Sequence, residues 1–223
     1  RMLTLRPYQQ AAIASIYGYF EKESGNPLVV IPTAGGKSLV MAAFIDGVLK
    51  AWPEQRVLVV THVRELIAQN HAEMLGLWPE APAGIYSAGL GRRDARARIL
   101  FAGIQSIHDK ATRIGHADLV LIDEASRVMD DDYFSRRVPK WLPTVRKQNV
   151  VMVLMTQFPS QVRDSKAKSI LEGLPNRMLF PNSRATERDY DGYGLTETNA
   201  AGCSNFWQSY ADKPTSTGRP QKP

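Results

Sequence analysis

Gly35-Gly36-Lys37-Ser38 follows an apolar run, Leu28-Val29-Val30-Ile31, through Pro32-Thr33-Ala34, and leads into apolar residues at helical spacing. A strand, a glycine loop and a helix in that order make a cradle for phosphate. The glycines let the backbone bend so that successive N–H groups point inward, and the start of the helix adds the positive end of its dipole. Lys37 is the point charge expected to reach the β and γ phosphates of a nucleotide, and the Ser38 hydroxyl is the expected Mg2+ ligand. Thr33, Ala34, Gly35, Gly36, Lys37 and Ser38 are the candidate phosphate-binding residues. The bland alternative is a glycine-rich turn before a helix.

A second chemical group belongs at the tip of another buried strand. Asp118-Leu119-Val120-Leu121-Ile122-Asp123-Glu124-Ala125 offers four aliphatic residues ending in two carboxylates. Asp123 is expected to hold Mg2+. Glu124, one residue on, is expected to orient or deprotonate the attacking water, because phosphoryl transfer depends on positioning and charge stabilisation. The alternative is a pair of acids capping the next helix.

Positioning these residues requires a sheet. Short apolar runs alternate with helical patterns, which predicts an α/β fold with a mostly parallel sheet and helices on both faces. Strands are expected at Leu28–Ile31, Arg56–Val60, Gly84–Tyr86, Ile99–Ala102, Asp118–Ile122, Val150–Met155 and Arg177–Phe180, and helices at Tyr8–Phe20, Ser38–Ala51, Val63–Leu75 and Ser165–Leu171. From about Gly192 the chain turns to Gly, Thr, Ser, Asn and Pro. Residues 1–190 are thus expected to form the domain and residues 191–223 an irregular, loose tail.

The 223 residues are 43% hydrophobic and 22% charged, enough to bury one substantial core. Lys and Arg outnumber Asp and Glu by 28 to 22, a net charge of +6 that suits a polyanionic partner as well as a solvated basic surface. Cys203 is the only cysteine, which excludes an intrachain disulfide. With no apolar stretch of bilayer length, a cytoplasmic location without a membrane span is expected. Oligomeric state is open.

On the motifs quoted, residues 1 to about 125 resemble the first RecA-like domain of a superfamily 2 DNA or RNA helicase. The loop departs from the general P-loop pattern, which wants a glycine where Ile31 stands. Leu5-Arg6-Pro7-Tyr8-Gln9 resembles the segment ahead of the P-loop, and the resemblance implies that Gln9 reads the adenine edge. Thr61-His62-Val63-Arg64-Glu65-Leu66 and Gly103-Ile104-Gln105-Ser106 resemble two motifs that touch the nucleic-acid backbone, which makes Thr61, Arg64, Gln105 and Ser106 the candidate contacts. ATP and Mg2+ are the implied cofactors, and DNA or RNA the implied partner. Ser126 stands where the family has His, the Ser/Thr-Ala-Thr motif is absent, and nothing after residue 126 resembles the second RecA-like domain that carries the arginine finger. Hydrolysis by this chain alone is therefore expected to be weak or nil.

From Asp123 to Glu197 the chain resembles the ATPases of conjugative and type IV secretion systems, through Asp123-Glu124-Ala125, Asp131-Asp132-Tyr133-Phe134, Trp141-Leu142 and Thr156-Gln157. That resemblance implies a γ-phosphate-sensing role for Gln157, and a secretion-ATPase fragment is the alternative function. Tyr193-Gly194-Leu195-Thr196-Glu197-Thr198 and Gly218-Arg219-Pro220 resemble adenylate-forming acyl-CoA ligases. The three resemblances meet at short shared words, so the chain reads as a mosaic, and a folded but catalytically silent chimeric protein is a third expectation.

Overall fold

Aliphatic residues fill both faces of the central strands, and alternate positions along each strand divide between two layers of core. The computed structural model describes residues 4–22, 25–32, 35–108, 110–138, 140, 146–148, 150–166, 174, 177–180, 182 and 184–193. Its strands are β1 (Leu28–Val30), β2 (Val57–Thr61), β3 (Ala83–Ser87), β4 (Arg92–Arg93), β5 (Ile99–Gly103), β6 (Leu119–Ile122), β7 (Val151–Thr156) and β8 (Arg177–Leu179). They form one sheet in the order β4-β3-β5-β2-β6-β7-β1-β8, parallel except for the β3/β4 pair.

Val29, Val57, Val59, Ile99, Phe101, Leu119, Leu121, Val153 and Met155 point to one layer, under α1 (Pro7–Lys22), α2 (Lys37–Ala51) and α3 (Arg64–Leu77). Leu28, Val30, Val60, Ile122, Met152 and Leu154 point to the other, under α4 (Ile104–Ile107), α6 (Ala125–Asp130), α7 (Asp132–Ser135) and α8 (Pro159–Arg163). Ile114 of α5 (Ala111–Ile114) packs on Leu100 and Ala102 of that second face. The period of two places one residue in each layer, so a strand buried on both sides needs unbroken aliphatics, as observed.

The seven expected strands are present with ends shifted by a residue or so. β4 is additional. Its two arginines lack an apolar pattern, and pairing follows from the reversal at Gly91, which has φ 66°. The helix expected at Ser165–Leu171 is not at its start: Ser165 and Lys166 are non-helical, and the remainder falls outside the described residues. Helix α8 forms earlier instead, because Pro159 fixes its first turn and the Gln161 side chain accepts from the Phe158 N–H at 3.2 Å.

At the sheet's N-terminal edge Arg56 ties three connections together. Its guanidinium donates to the carbonyls of Ala95 (2.6 Å), Ala97 (3.2 Å), His116 (2.8 Å) and Ile114, and its own N–H donates to Asp118 Oδ2 at 2.7 Å. Burial depresses this guanidinium against the pull of Asp118. The final described residue, Tyr193, is buried, donates to the Pro159 carbonyl at 2.7 Å and lies under Arg177, 5.1 Å from ring centroid to guanidinium carbon. The rest of the expected tail, residues 194–223, lies outside the described residues.

Candidate functional site

β6, β7 and β1 are neighbours, and because all three run parallel their C-terminal tips lie side by side. In a parallel sheet this edge is where ligands lodge. The tip of β1 passes into the glycine loop and then α2, the tip of β6 carries Asp123 and Glu124, and the tip of β7, between them, carries Gln157. The strand between loop and acids is therefore the one that brings Gln157 to both.

Thr33 and Ala34 lie outside the described residues. Gly35 donates its N–H to the Pro32 carbonyl at 2.9 Å, and a Cβ on Gly35 would stand 2.8 Å from that oxygen. Gly36 adopts φ 71°, ψ 40°, a left-handed conformation that glycine takes without a Cβ clash, and the 15-residue α2 starts at the next residue. Tyr8 and Gln9 of α1 brace the loop: the Tyr8 hydroxyl and Gln9 Nε2 both donate to the Gly35 carbonyl, at 2.9 and 3.1 Å. Gln9 Oε1 accepts from the Arg6 N–H at 2.8 Å, so both ends of this buried amide are engaged within the protein.

Lys37 leaves the first turn of α2 between the two acids. Its ammonium lies 2.7 Å from Asp123 Oδ1 and pairs also with Glu124 Oε1. Asp123 is 1% exposed and Glu124 5%. Burial by itself lowers the Lys37 pKa, but Asp123 and Glu124 more than offset it, and the ammonium is held above its ordinary value. Asp123 has both carboxylate oxygens in use: Oδ1 also accepts the Glu124 N–H at 3.0 Å, and Oδ2 accepts Asn70 Nδ2 at 2.8 Å. Glu124 has φ 53°, the one positive φ outside glycine among the described residues. A left-handed glutamate costs about 1–2 kcal/mol, and it occurs where β6 turns into α6 and the carboxylate turns to Lys37.

Gln157 Nε2 donates to the same Glu124 Oε1 at 2.7 Å. Its carbonyl accepts from Asn182 Nδ2 at 3.2 Å, and Gln161 braces the neighbouring residue, accepting from Thr156 Oγ1 at 3.0 Å. Lys37, Asp123, Glu124 and Gln157 are thus brought into one hydrogen-bonded group. Ser38, next to Lys37 on α2, is partly exposed. Tyr8, Asn70, Gln161 and Asn182 are not among the candidates the sequence singles out, although Tyr8 stands inside the motif quoted ahead of the loop. Asn70 carries a signal of its own, a polar residue in the apolar stripe Ile67, Asn70, Met74 of α3.

The four candidate nucleic-acid contacts divide. Arg64 and Gln105 are exposed, at the first turns of α3 and α4. Thr61 is 1% exposed and Ser106 7%. Ser106 Oγ accepts from the Ala88 N–H at 2.9 Å, whereas Thr61 Oγ1 has no hydrogen-bond partner among the described residues. Among the described residues no helix is long and apolar enough to cross a membrane.

Among solved structures, the chain is similar to the Hef helicase domain of Pyrococcus furiosus, with a TM-score of 0.61 and 20% identity over 81% of this chain and 38% of that one. It is similar to the SWI2/SNF2 ATPase core of Sulfolobus solfataricus, solved in complex with dsDNA, with a TM-score of 0.59 and 16% identity over 77% and 36% of the two chains. The UvsW helicase of bacteriophage T4 gives 0.58 and 14% over 80% and 61%. These likenesses show the RecA-like helicase fold.

Among curated proteins, 85 residues, 37% of this chain, are 36% identical to the type IV secretion system protein virB4 of Bartonella quintana (strain Toulouse). A further 86-residue match, 34% identical, is to the type IV secretion system protein PtlC of Bordetella pertussis (strain Tohama I / ATCC BAA-589 / NCTC 13251). The chain spans about a tenth of the length of these relatives, 11% and 10%. The family model of the type III restriction enzyme, res subunit, matches residues 2–161, running past the expected helicase-like limit near 125. As that span takes in the glycine loop, both acids and Gln157, the chain belongs to the family of the type III restriction enzyme, res subunit.

Proposed function

We propose that this chain binds ATP with Mg2+ at the tips of β1, β6 and β7, and that it serves as the nucleotide-binding half of a helicase-type ATPase. The observation that carries the reading is the Lys37 ammonium seated against Asp123 and Glu124, with Gln157 on the same glutamate oxygen. A nucleotide γ-phosphate would draw Lys37 off the acids, and a hard cation would replace its charge there. The donor set fits such a cation, because the Ser38 hydroxyl and the Asp123 carboxylate are both oxygen ligands. Gly36 fits the phosphate, since its left-handed turn puts no Cβ between the loop and the start of α2.

In this reading Lys37 and the first N–H groups of α2 bind the phosphates, with Gly35 and Gly36 giving the backbone its path and Gln9 bracing it beside the base. Bound Mg2+ supplies charge neutralisation at the phosphates, with Ser38 and Asp123 holding it. Glu124 accepts a proton from the attacking water, and Gln157 fixes the Glu124 carboxylate and reports the γ-phosphate through it. Turnover by the isolated chain is near background, because the stabilising arginine of the resembling helicases stands on a second RecA-like domain, and its loss costs a factor of roughly a thousand or more. Arg64 and Gln105 contact a nucleic-acid backbone. Thr61 and Ser106, being buried, support that surface from beneath.

The relatives named for type IV secretion favour a second reading, an ATPase fragment that works by oligomerising. Salt-sensitive binding to DNA or RNA by a monomer supports the first, and nucleotide-dependent oligomers without nucleic-acid affinity the second. The primary test is a titration of fluorescent ATP with Mg2+ against the chain and its Lys37→Ala variant, both shown folded by circular dichroism. Binding that the variant loses supports the reading. Equal binding, or none in either, would leave a folded but silent chain.

A further inference from the structure

Helix α3 buries three residues against the sheet, Ile67, Asn70 and Met74, which are 2%, 1% and 0% exposed. An apolar side chain suits such a stripe, and an amide is costly there unless hydrogen-bonded. Asn70 meets that demand by half. Its Nδ2 donates to Asp123 Oδ2 at 2.8 Å, while its Oδ1 has no partner among the described residues, which is destabilising in a buried amide. The stripe would be more cheaply filled by leucine, so the packing of α3 does not account for this residue, and the one hydrogen bond it makes is to the carboxylate of the site.

We propose that Asn70 is a positioning residue for Asp123: it fixes the rotation of the carboxylate so that Oδ1 faces the cation. The inference rests on the reading that Asp123 holds Mg2+. The terminal torsion of an aspartate is broad, and one hydrogen bond does not define the plane of the group. Oδ1 now meets Lys37 and the Glu124 N–H. Once Lys37 turns to phosphate, the Glu124 N–H on Oδ1 and Asn70 on Oδ2 are the bonds that remain, among the described residues, to set that plane. Groups that orient a metal ligand in this way carry about 10- to 100-fold of metal affinity.

The test uses the full chain and a fluorescent ATP analogue, titrated with Mg2+ and, separately, in EDTA. In Asn70→Leu, which keeps the branch at Cγ with a larger apolar side chain and removes the unpaired oxygen, the Mg2+ concentration for half-saturation rises about 10-fold or more. Nucleotide affinity in EDTA does not fall. In an Asp123→Asn background the same change adds no further shift, and Asn70→Ala gives the same pattern should the leucine fail to fold. An unchanged Mg2+ requirement overturns the inference while leaving nucleotide binding standing. So does a fall in melting temperature with equal losses in Mg2+ and in EDTA, which marks a structural role. No Mg2+-dependent binding by the unaltered chain overturns the site reading itself, and this inference with it.

Discussion

Replacing Lys37 by alanine is expected to destabilise the fold by an amount that does not change between neutral and mildly alkaline pH, which follows from its seat between two buried acids. The ammonium meets Asp123 Oδ1 at 2.7 Å and also pairs with Glu124, and these acids are 1% and 5% exposed. Removing one partner of a buried pair costs about 3–5 kcal/mol. Solvent reaches the Lys37 side chain, which is 10% exposed, and Asn70, Gln157 and the Glu124 N–H still donate to the acids, which reduces the expected loss to about 2–4 kcal/mol. In the unaltered chain the Lys37 pKa is raised, so its contribution is fully present below its ordinary value of 10.5 and is lost only as the pH rises through the folded value. It is therefore constant from neutral to mildly alkaline pH. Urea unfolding at pH 7 and pH 9 measures it, with Lys37→Met retaining part of the apolar stem to separate charge from packing. The midpoint of the alanine variant should be lower by roughly 1–2 M at both. No shift, or one that has largely vanished at pH 9, would refute the charge argument.

Gly36→Ala puts a methyl group against the Gln9 amide and forces a positive φ, so the melting temperature should fall by about 3–8 °C and nucleotide affinity should drop; thermal unfolding with and without nucleotide measures both. Arg56→Ala removes a charged donor to four carbonyls at the opposite edge of the sheet, and urea unfolding should show a loss of about 2–3 kcal/mol with nucleotide affinity unchanged. Arg64→Ala should weaken nucleic-acid binding and reduce the slope of log affinity against log salt by about one, measured by fluorescence anisotropy, while leaving nucleotide binding in the absence of nucleic acid intact.

The central strands were legible because burial on both faces demands unbroken aliphatics, and the runs before Gly35 and before Asp123 meet that demand. The glycine loop was legible because the backbone path needs its residue types. What escaped was set by tertiary contact. β4 is two arginines that pair only because Gly91 reverses the chain, and α8 starts on Pro159 and Gln161 ahead of the periodic stretch. The left-handed Glu124 has no signature in a glutamate, and Asn70 reaches Asp123 across 53 positions of sequence. Thr61 ends β2 and Ser106 lies in α4, where the motif resemblance implied contact with nucleic acid, and the fold turns both side chains inward.

The most direct test of the site is a crystal structure of the chain with Mg2+ and a non-hydrolysable ATP analogue. Lys37 Nζ should be withdrawn from Asp123 and Glu124 onto the β and γ phosphates, with the metal on Ser38 and Asp123. A nucleotide lodged elsewhere, or Lys37 still bonded to both acids beside a bound triphosphate, would rule out this phosphate site.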